Sequence, residues 1–90
     1  MFYVYLLESR DNPDKHYIGY STDLKKRIER HNKRLVRSTR TYSPWNIIFY
    51  EAYLSRFDAK RREKYLKTSP GRKALKLMLR YSLSKEENEI

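Results

Sequence analysis

The sequence contains no cysteine, so it has neither a disulfide framework nor a metal site that depends on thiolates. Its two histidines, His16 and His31, lie at unrelated positions and do not match the spacing of a structural zinc site. Any metal that the protein binds is therefore expected to be a hard cation with oxygen ligands.

Long hydrophobic runs are also missing. The longest uninterrupted apolar run, residues 2–7, is far shorter than the ~20 residues that a membrane-spanning helix needs. No succession of basic, apolar and small residues marks a signal peptide. We therefore expect a soluble, cytoplasmic protein that does not bind membranes. The length of 90 residues predicts one domain, residues 1–82, followed by a flexible acidic tail, residues 83–90.

Positive charge is abundant and unevenly distributed. The formal net charge is +10, and residues 25–40 carry eight basic side chains with one acid, Glu29. Such a surface attracts polyphosphate, which favours nucleic acid as the partner, although a basic face that only aids solubility remains an alternative. The candidate phosphate-contacting residues are Lys25, Lys26, Arg30, Lys33, Arg34, Arg37 and Arg40, together with Lys67.

Three segments have the composition of β-strands. Residues 2–7 are aromatic and β-branched, and their alternation places Val4 and Tyr5 on opposite faces. The turn-forming residues 11–14 predict a hairpin that brings residues 16–20 back antiparallel to the first strand. The third segment, residues 45–53, is apolar on both faces, so we expect it to be central in the sheet or covered by helices.

Three segments read as helices. The first, residues 22–33, is basic; the second follows the capping residue Ser55 and runs to about residue 68. The third opens at residues 69–70, where Pro70 suits a first turn. Its expected core stripe consists of Ala74, Leu75, Met78 and Leu79. These elements predict an α+β fold in which a three-stranded antiparallel sheet is flanked by three helices.

Two positions of the first helix suit phosphate chemistry. Arg27 and His31 are four residues apart and therefore share one face, beside the apolar Leu24 and Ile28. Arginine binds phosphate oxygens through charge-assisted hydrogen bonds, and histidine exchanges protons near neutral pH. A solvated basic face is the alternative, and on either view we expect Arg27 to be a surface cation.

Two further features leave more than one interpretation open. The hydroxyls of Ser38, Thr39 and Thr41 suit either phosphate contacts or an ordinary loop. Glu63 lies on the inward side of the second helix, where a carboxylate needs compensation. A divalent cation could provide it, and so could an ion pair with Arg62, Lys67 or Arg27.

Taken in order, these residues resemble the GIY-YIG nuclease domain. The resemblance rests on Tyr3-Val4-Tyr5, Tyr17-Ile18-Gly19, Arg27 and His31 four apart, and Glu63. It spans roughly residues 2–80 and is strongest to small members related to the nuclease half of the bacterial excinuclease C subunit. The fold that this resemblance implies is the same as the one that the sequence pattern predicts.

The resemblance also implies catalytic roles. Tyr5 and Tyr17 match the two phenols that surround the attacking water, and Arg27 matches the residue that holds the scissile phosphate. His31 would orient or activate the nucleophile, and Glu63 would bind a single divalent metal, Mg²⁺ or Mn²⁺. On this basis we expect Tyr17, backed by Tyr5 and His31, to take the proton from water, although the resemblance does not decide which of the two tyrosines is the base. Either way the pKa of that phenol has to be lowered.

Two positions depart from the motif. Tyr3 stands where the motif has Gly, and Tyr20 stands where excinuclease-type members carry Lys, so Lys25, Lys26 or Lys67 would have to supply that cation. The function implied is a metal-dependent endonuclease that hydrolyses phosphodiester bonds in DNA, in repair or recombination, with a second copy or a repair protein as further partner. The alternative is a nucleic-acid-binding module of the same fold with little catalytic activity.

Overall fold

The computed structural model describes residues 1–83 and contains three strands and three α-helices. The strands are β1 (Phe2–Ser9), β2 (His16–Ser21) and β3 (Trp45–Tyr53); the helices are α1 (Leu24–Asn32), α2 (Arg56–Leu66) and α3 (Ser69–Met78), and a short 3₁₀ turn spans Arg40–Tyr42. All strand pairs are antiparallel, in the order β2-β1-β3. The predicted α+β fold is confirmed. Of the expected tail, residues 83–90, only Leu83 lies within the described residues.

The β1–β2 hairpin forms where the turn-forming residues predicted it. The amide of Ser9 donates to the carbonyl of Lys15 at 3.0 Å, and the amide of Lys15 donates to the carbonyl of Asn12 at 2.8 Å. The register pairs Tyr5 with Gly19 and Leu7 with Tyr17. This register brings both motif tripeptides side by side.

The sheet is covered on both faces. Val4 packs with residues of α2 and α3, namely Ala59, Leu66 and Leu75. Tyr5, Leu7 and Trp45 form a second cluster against Leu24 and Ile28 of α1. Because Val4 and Tyr5 are consecutive in β1, helices α2 and α3 lie on one face and α1 lies on the other. No helix within residues 1–83 is long and apolar enough to cross a membrane.

The third strand was expected to be central or covered by helices, and the central position was wrong. Within residues 1–83, β1 is the central strand and β3 pairs with β1 alone, which makes β3 an edge strand, and both α1 and α2 contact it. Its side chains Ile47 and Tyr50 are 38% and 54% exposed. A run that is apolar on both faces can be an edge strand if the domain leaves several large side chains in water, and small domains do so.

Side-chain caps fix the helix starts. Asp23 is the N-cap of α1 and accepts from the amide of Lys26 at 3.1 Å, so this helix begins at Leu24 and not at residue 22. Ser55 caps α2, and Thr68 caps α3 by accepting from the amide of Gly71 at 3.1 Å. In the expected stripe of α3 only Leu75 is fully buried, and Met78 is 48% exposed.

The absence of a side chain at Gly19 in β2 leaves room for the ring of Tyr5 in β1. A Cβ atom at this position would overlap Cζ and Oη of Tyr5 and would lie 2.9 Å from Cε2 of Tyr17. The ring of Tyr5 therefore lies across the backbone of its partner in the neighbouring strand. Only glycine leaves room for this packing, which explains the last residue of the second motif.

We predict that Gly19→Ala destabilises the domain by roughly 1–3 kcal/mol, because the added methyl group displaces two packed rings. A loss of stability would indicate this clash, because alanine in a strand without a clash is more stable than glycine by about 0.5–1 kcal/mol. Urea unfolding measures the change. In a Tyr5→Leu background the same substitution should cost much less, and an equal cost in both backgrounds would contradict the packing argument.

Candidate active site

Tyr5 lies at the centre of the cluster that carries the motif residues. Its side chain is 1% exposed, and its ring centroid lies 6.4 Å from that of Tyr17 and 5.7 Å from that of His31. The rings of Tyr17 and His31 are 5.2 Å apart. Residues from β1, β2 and α1 thus converge, as the motif spacing predicted.

A chain of short hydrogen bonds runs inward from Tyr5. The Tyr5 hydroxyl lies 2.7 Å from Nε2 of His31, and Nδ1 of His31 lies 2.7 Å from the hydroxyl of Thr39. The Thr39 hydroxyl also donates to the carbonyl of Val36 at 3.4 Å. If the one hydroxyl proton of Thr39 is used for that donation, Thr39 accepts from Nδ1–H of His31. Nε2 is then free to accept the proton of Tyr5.

Burial sets the protonation states of this chain. Burial raises the pKa of Tyr5 to about 12; the nearby Tyr17 and Glu63 contribute to the rise, and Arg27 opposes it. Burial also lowers the pKa of His31 to about 4, assisted by the positive charges of Arg27 and Arg30. At neutral pH the pair therefore consists of a protonated phenol and a neutral imidazole. The lowered phenol pKa that the mechanism required is not present at Tyr5.

Arg27 is not the surface cation that we expected. It is only half-exposed, and its Nε is buried without a hydrogen-bond partner among residues 1–83. Its guanidinium is near enough to the Tyr5 phenol to lower that phenol's pKa. The amphipathic spacing of α1 placed Arg27 beside the apolar stripe, and the structure shows that the side chain extends into the ring cluster.

Glu63 reaches the same cluster from α2. Its carboxylate is 17% exposed, accepts from the Lys67 ammonium at 3.1 Å and raises the pKa of Tyr5. That ammonium also lies 6.0 Å from the centre of the Tyr17 ring. Of the three expected ion-pair partners, Lys67 is the one found, since Arg62 binds Glu51 of β3 at 2.9 Å.

The oxygen donors fit a hydrated cation and do not fit a metal enclosed by protein. Within residues 1–83 no group of three or more His, Cys, Asp or Glu side chains could hold a metal ion. Mg²⁺ is commonly bound by one or two carboxylates and completes its coordination with water and substrate phosphates. Glu63 can serve as such a single carboxylate if the Lys67 ammonium moves aside.

The candidate phosphate-contacting residues of segment 25–40 are all exposed. Arg34, directly after α1, has a positive φ of 62°, and its amide and that of Leu35 close the helix end by donating to His31 and Arg30. Of the three cations proposed to replace the motif lysine, Lys67 lies beside Tyr17. Lys25 lies near Tyr50, in a depression on the β3 side.

Thr39, which the sequence offered as a phosphate contact or an ordinary loop residue, has a role in this cluster that sequence reasoning missed. It is fully buried, and its hydroxyl binds His31, so it cannot contact a phosphate. Its carbonyl accepts from Nε1 of Trp45 at 2.8 Å, and the amide of Trp45 donates to Asn32 at 2.6 Å. Buried hydrogen bonds therefore attach the loop after α1 to that helix and to the start of β3. A lone threonine in a polar loop gives no signal of such a role.

The residues of this cluster follow the order of the GIY-YIG motif that the sequence resembles. Residues 1–76 match the model of the GIY-YIG catalytic domain. This match covers most of the chain, and the protein belongs to the GIY-YIG family, whose domain indicates nuclease activity across the family.

Individual relatives bear the name UPF0213. The chain is 34% identical over 89 residues to the UPF0213 protein CPE1444 of Clostridium perfringens, covering 98% of this chain and 92% of that protein. It is 34% identical over 77 residues to the UPF0213 protein SH2523 of Staphylococcus haemolyticus, covering 84% and 92%. The solution NMR structure of the UPF0213 protein BH0048 of Bacillus halodurans is similar, with a TM-score of 0.54 and 32% identity over 99% of this chain and 94% of that one.

We predict that His31 makes the stability of the domain depend on pH. Because its pKa is about 4 when folded and 6.5 ordinarily, the unfolded chain binds the proton more readily. Its contribution is complete above about pH 6.5 and is lost as the pH falls towards 4, amounting to roughly 3 kcal/mol. Urea unfolding across this range measures it.

The control is His31→Gln, in which this component of the pH dependence should disappear. NMR of the imidazole nitrogens gives an independent check, because the neutral Nδ1–H form should persist at pH 6. A charged His31 at pH 6 would overturn the assignment.

Proposed function

We propose that the protein is a metal-dependent endonuclease that hydrolyses phosphodiester bonds in DNA. The observation that carries this proposal is the convergence of two phenols, a guanidinium, a neutral imidazole and a carboxylate from two strands and two helices. The same residues fit the chemistry of in-line attack by water on a phosphodiester. A role in repair or recombination is consistent with this activity, and the exposed basic segment 25–40 would bind the DNA backbone.

Proton transfer runs through Tyr5 in this proposal. A phenol with a pKa of about 12 supplies little phenolate at neutral pH, but its hydrogen bond ends on a neutral imidazole. As water attacks, Tyr5 takes the water proton while it passes its own proton to Nε2 of His31. Thr39 keeps His31 in the tautomer that can accept that proton. Tyr17, which has no hydrogen bond to His31 within residues 1–83, would orient the water in place of acting as the base.

Arg27, and a cation held by Glu63, would stabilise the negative charge that develops during the reaction. The half-buried guanidinium of Arg27 would bind a non-bridging oxygen, whose negative charge grows in the transition state. Glu63 would hold Mg²⁺ or Mn²⁺, which when bound acts as a Lewis acid on the leaving oxygen. Lys67 would leave Glu63 and turn towards the phosphate, which replaces the cation that Tyr20 does not supply.

One observation favours a nucleic-acid-binding module with little catalysis. The Lys67 ammonium already neutralises Glu63, so this carboxylate is compensated without a metal ion. Such a module would bind nucleic acid equally well in chelator and in Mg²⁺. Substitution of Glu63 separates the two functions.

We predict that Glu63→Gln lowers the cleavage of labelled DNA at least ~10²-fold in Mg²⁺ or Mn²⁺, because it removes the carboxylate that holds the charge-stabilising cation. DNA affinity in chelator should change little. Glu29→Gln, the loss of an exposed carboxylate on α1, is the matched control and should cut as the unaltered protein does. If the unaltered protein binds DNA but cuts no substrate with either metal, the binding module is the correct function.

We predict that Arg27→Met lowers the cleavage rate by roughly 10²–10³, as for the loss of one transition-state donor. Affinity for DNA should fall much less, since the exposed cations of segment 25–40 remain. The apolar replacement fills the space of the half-buried side chain, so unfolding should show a folded protein. Arg61→Met, on the exposed side of α2, provides the control. A folded Arg27→Met protein that cuts at the normal rate would remove Arg27 from the mechanism.

A further inference from the structure

A second concave surface lies beside the catalytic cluster. A groove of about 590 Å³ runs between the β1–β2 hairpin and α3, and Tyr17 and Lys67 line it. These two residues also belong to the catalytic cluster, so the groove opens directly onto it. The motif does not account for the rest of the groove.

The inner surface of the groove is mostly apolar. Leu6, Ile18 and Leu75 lie along it, at the place where β1, β2 and α3 meet. Side chains of this kind offer nothing to a phosphate or to a sugar hydroxyl. They suit the face of an unstacked nucleic-acid base, which is a flat apolar surface.

The rim of the groove is cationic. Lys15, Arg72 and Lys76 line it together with Lys67, against one carboxylate, Asp14. Lys15, Arg72 and Lys76 are exposed and form no ion pair within residues 1–83. Arg72 and Lys76 are four residues apart on α3 and therefore lie on the same side of that helix. Charge around an apolar surface is the arrangement that binds a phosphate backbone with its bases turned inward.

We propose that this groove binds a single-stranded segment of nucleic acid and leads it to Tyr17. The inference deepens the proposed function, because it names the form in which the substrate enters the site. A duplex hides its base faces in the stack and gains nothing from the apolar surface between the cations. The apolar surface between them contributes to binding only when the bases are unstacked.

Direct binding in chelator tests this proposal without cleavage. Fluorescence anisotropy compares a labelled oligothymidylate with a hairpin duplex of equal phosphate number. In Arg72→Gln/Lys76→Gln the single-strand affinity should fall about 5–10-fold, and its salt slope should shrink by roughly 1.4, since each phosphate contact to a single strand contributes about 0.7. Duplex affinity should change less than twofold, because the exposed cations of segment 25–40, which this variant retains, would carry the binding of a duplex backbone.

Lys73→Gln/Arg80→Gln is the matched control. It removes the same charge from α3 and the residues after it, but neither position lines the groove. This variant should bind both ligands almost as the unaltered protein does. If the two double variants lose single-strand affinity equally, or if Arg72→Gln/Lys76→Gln loses duplex affinity to the same extent, the effect is one of net charge and the proposal fails.

NMR of methyl groups tests whether bases contact the apolar surface of the groove. The methyl resonances of Ile18 and Leu75 should shift when oligothymidylate is added and stay in place with an abasic oligomer of the same phosphate number. Unmoved methyl groups with oligothymidylate would overturn the proposal.

Failure of the groove and failure of the nuclease function give different results. If the protein cuts DNA and Arg72→Gln/Lys76→Gln binds single strands normally, the nuclease proposal stands and the groove proposal fails. If the protein does not cut DNA but Arg72→Gln/Lys76→Gln loses single-strand affinity, the nuclease proposal fails and the groove stands as a binding site.

Discussion

The contact between Tyr5 and the backbone of Gly19 is the constraint on which the rest of the structure depends. The hairpin register places these two residues opposite each other, and the absent side chain at Gly19 leaves room for the phenol ring. From this position the Tyr5 hydroxyl reaches His31 at 2.7 Å. Helix α1 must therefore pack on the same face of the sheet as Tyr5, and α2 and α3 take the other face.

This constraint also explains why β1 is central. Tyr5 and Leu7 of this strand pack against α1, and Val4 packs against α2 and α3, so both faces need cover. Glu63 approaches from the α2 side, yet it lies near Tyr5 because the cluster sits at the β2 edge, next to Gly19. Because β2 is an edge strand and has no side chain at Gly19, groups from both faces of the sheet can meet there.

Much of this architecture could be predicted from sequence, because local chemistry determines it. Period-two alternation identified the faces of β1, turn residues identified the hairpin, and Ser55 and Pro70 marked the starts of helices. The order of strands could not be predicted in this way. Apolar residues on both faces of β3 suggested a central strand, but the positions of burial depend on which neighbours the whole chain brings together.

The candidate site shows the same division. Motif spacing brought Tyr5, Tyr17 and His31 together, since register and helical period are local properties. It did not indicate Thr39, whose burial depends on Trp45 and Asn32, which tie the loop after α1 to the start of β3. Protonation states were equally out of reach, because desolvation depends on the packed surroundings and not on residue type.

The charged groups of this cluster bear on the phosphate-binding role that we propose for it. A buried polar group without a hydrogen bond costs roughly 1–3 kcal/mol, and Nε of Arg27 is in that situation within residues 1–83. The same guanidinium helps to keep His31 neutral, and Glu63 is neutralised by Lys67. In the proposed function, a phosphate beside the Arg27 guanidinium would attract the Lys67 ammonium away from Glu63. Under that proposal, binding of the substrate would leave the Glu63 carboxylate to a cation.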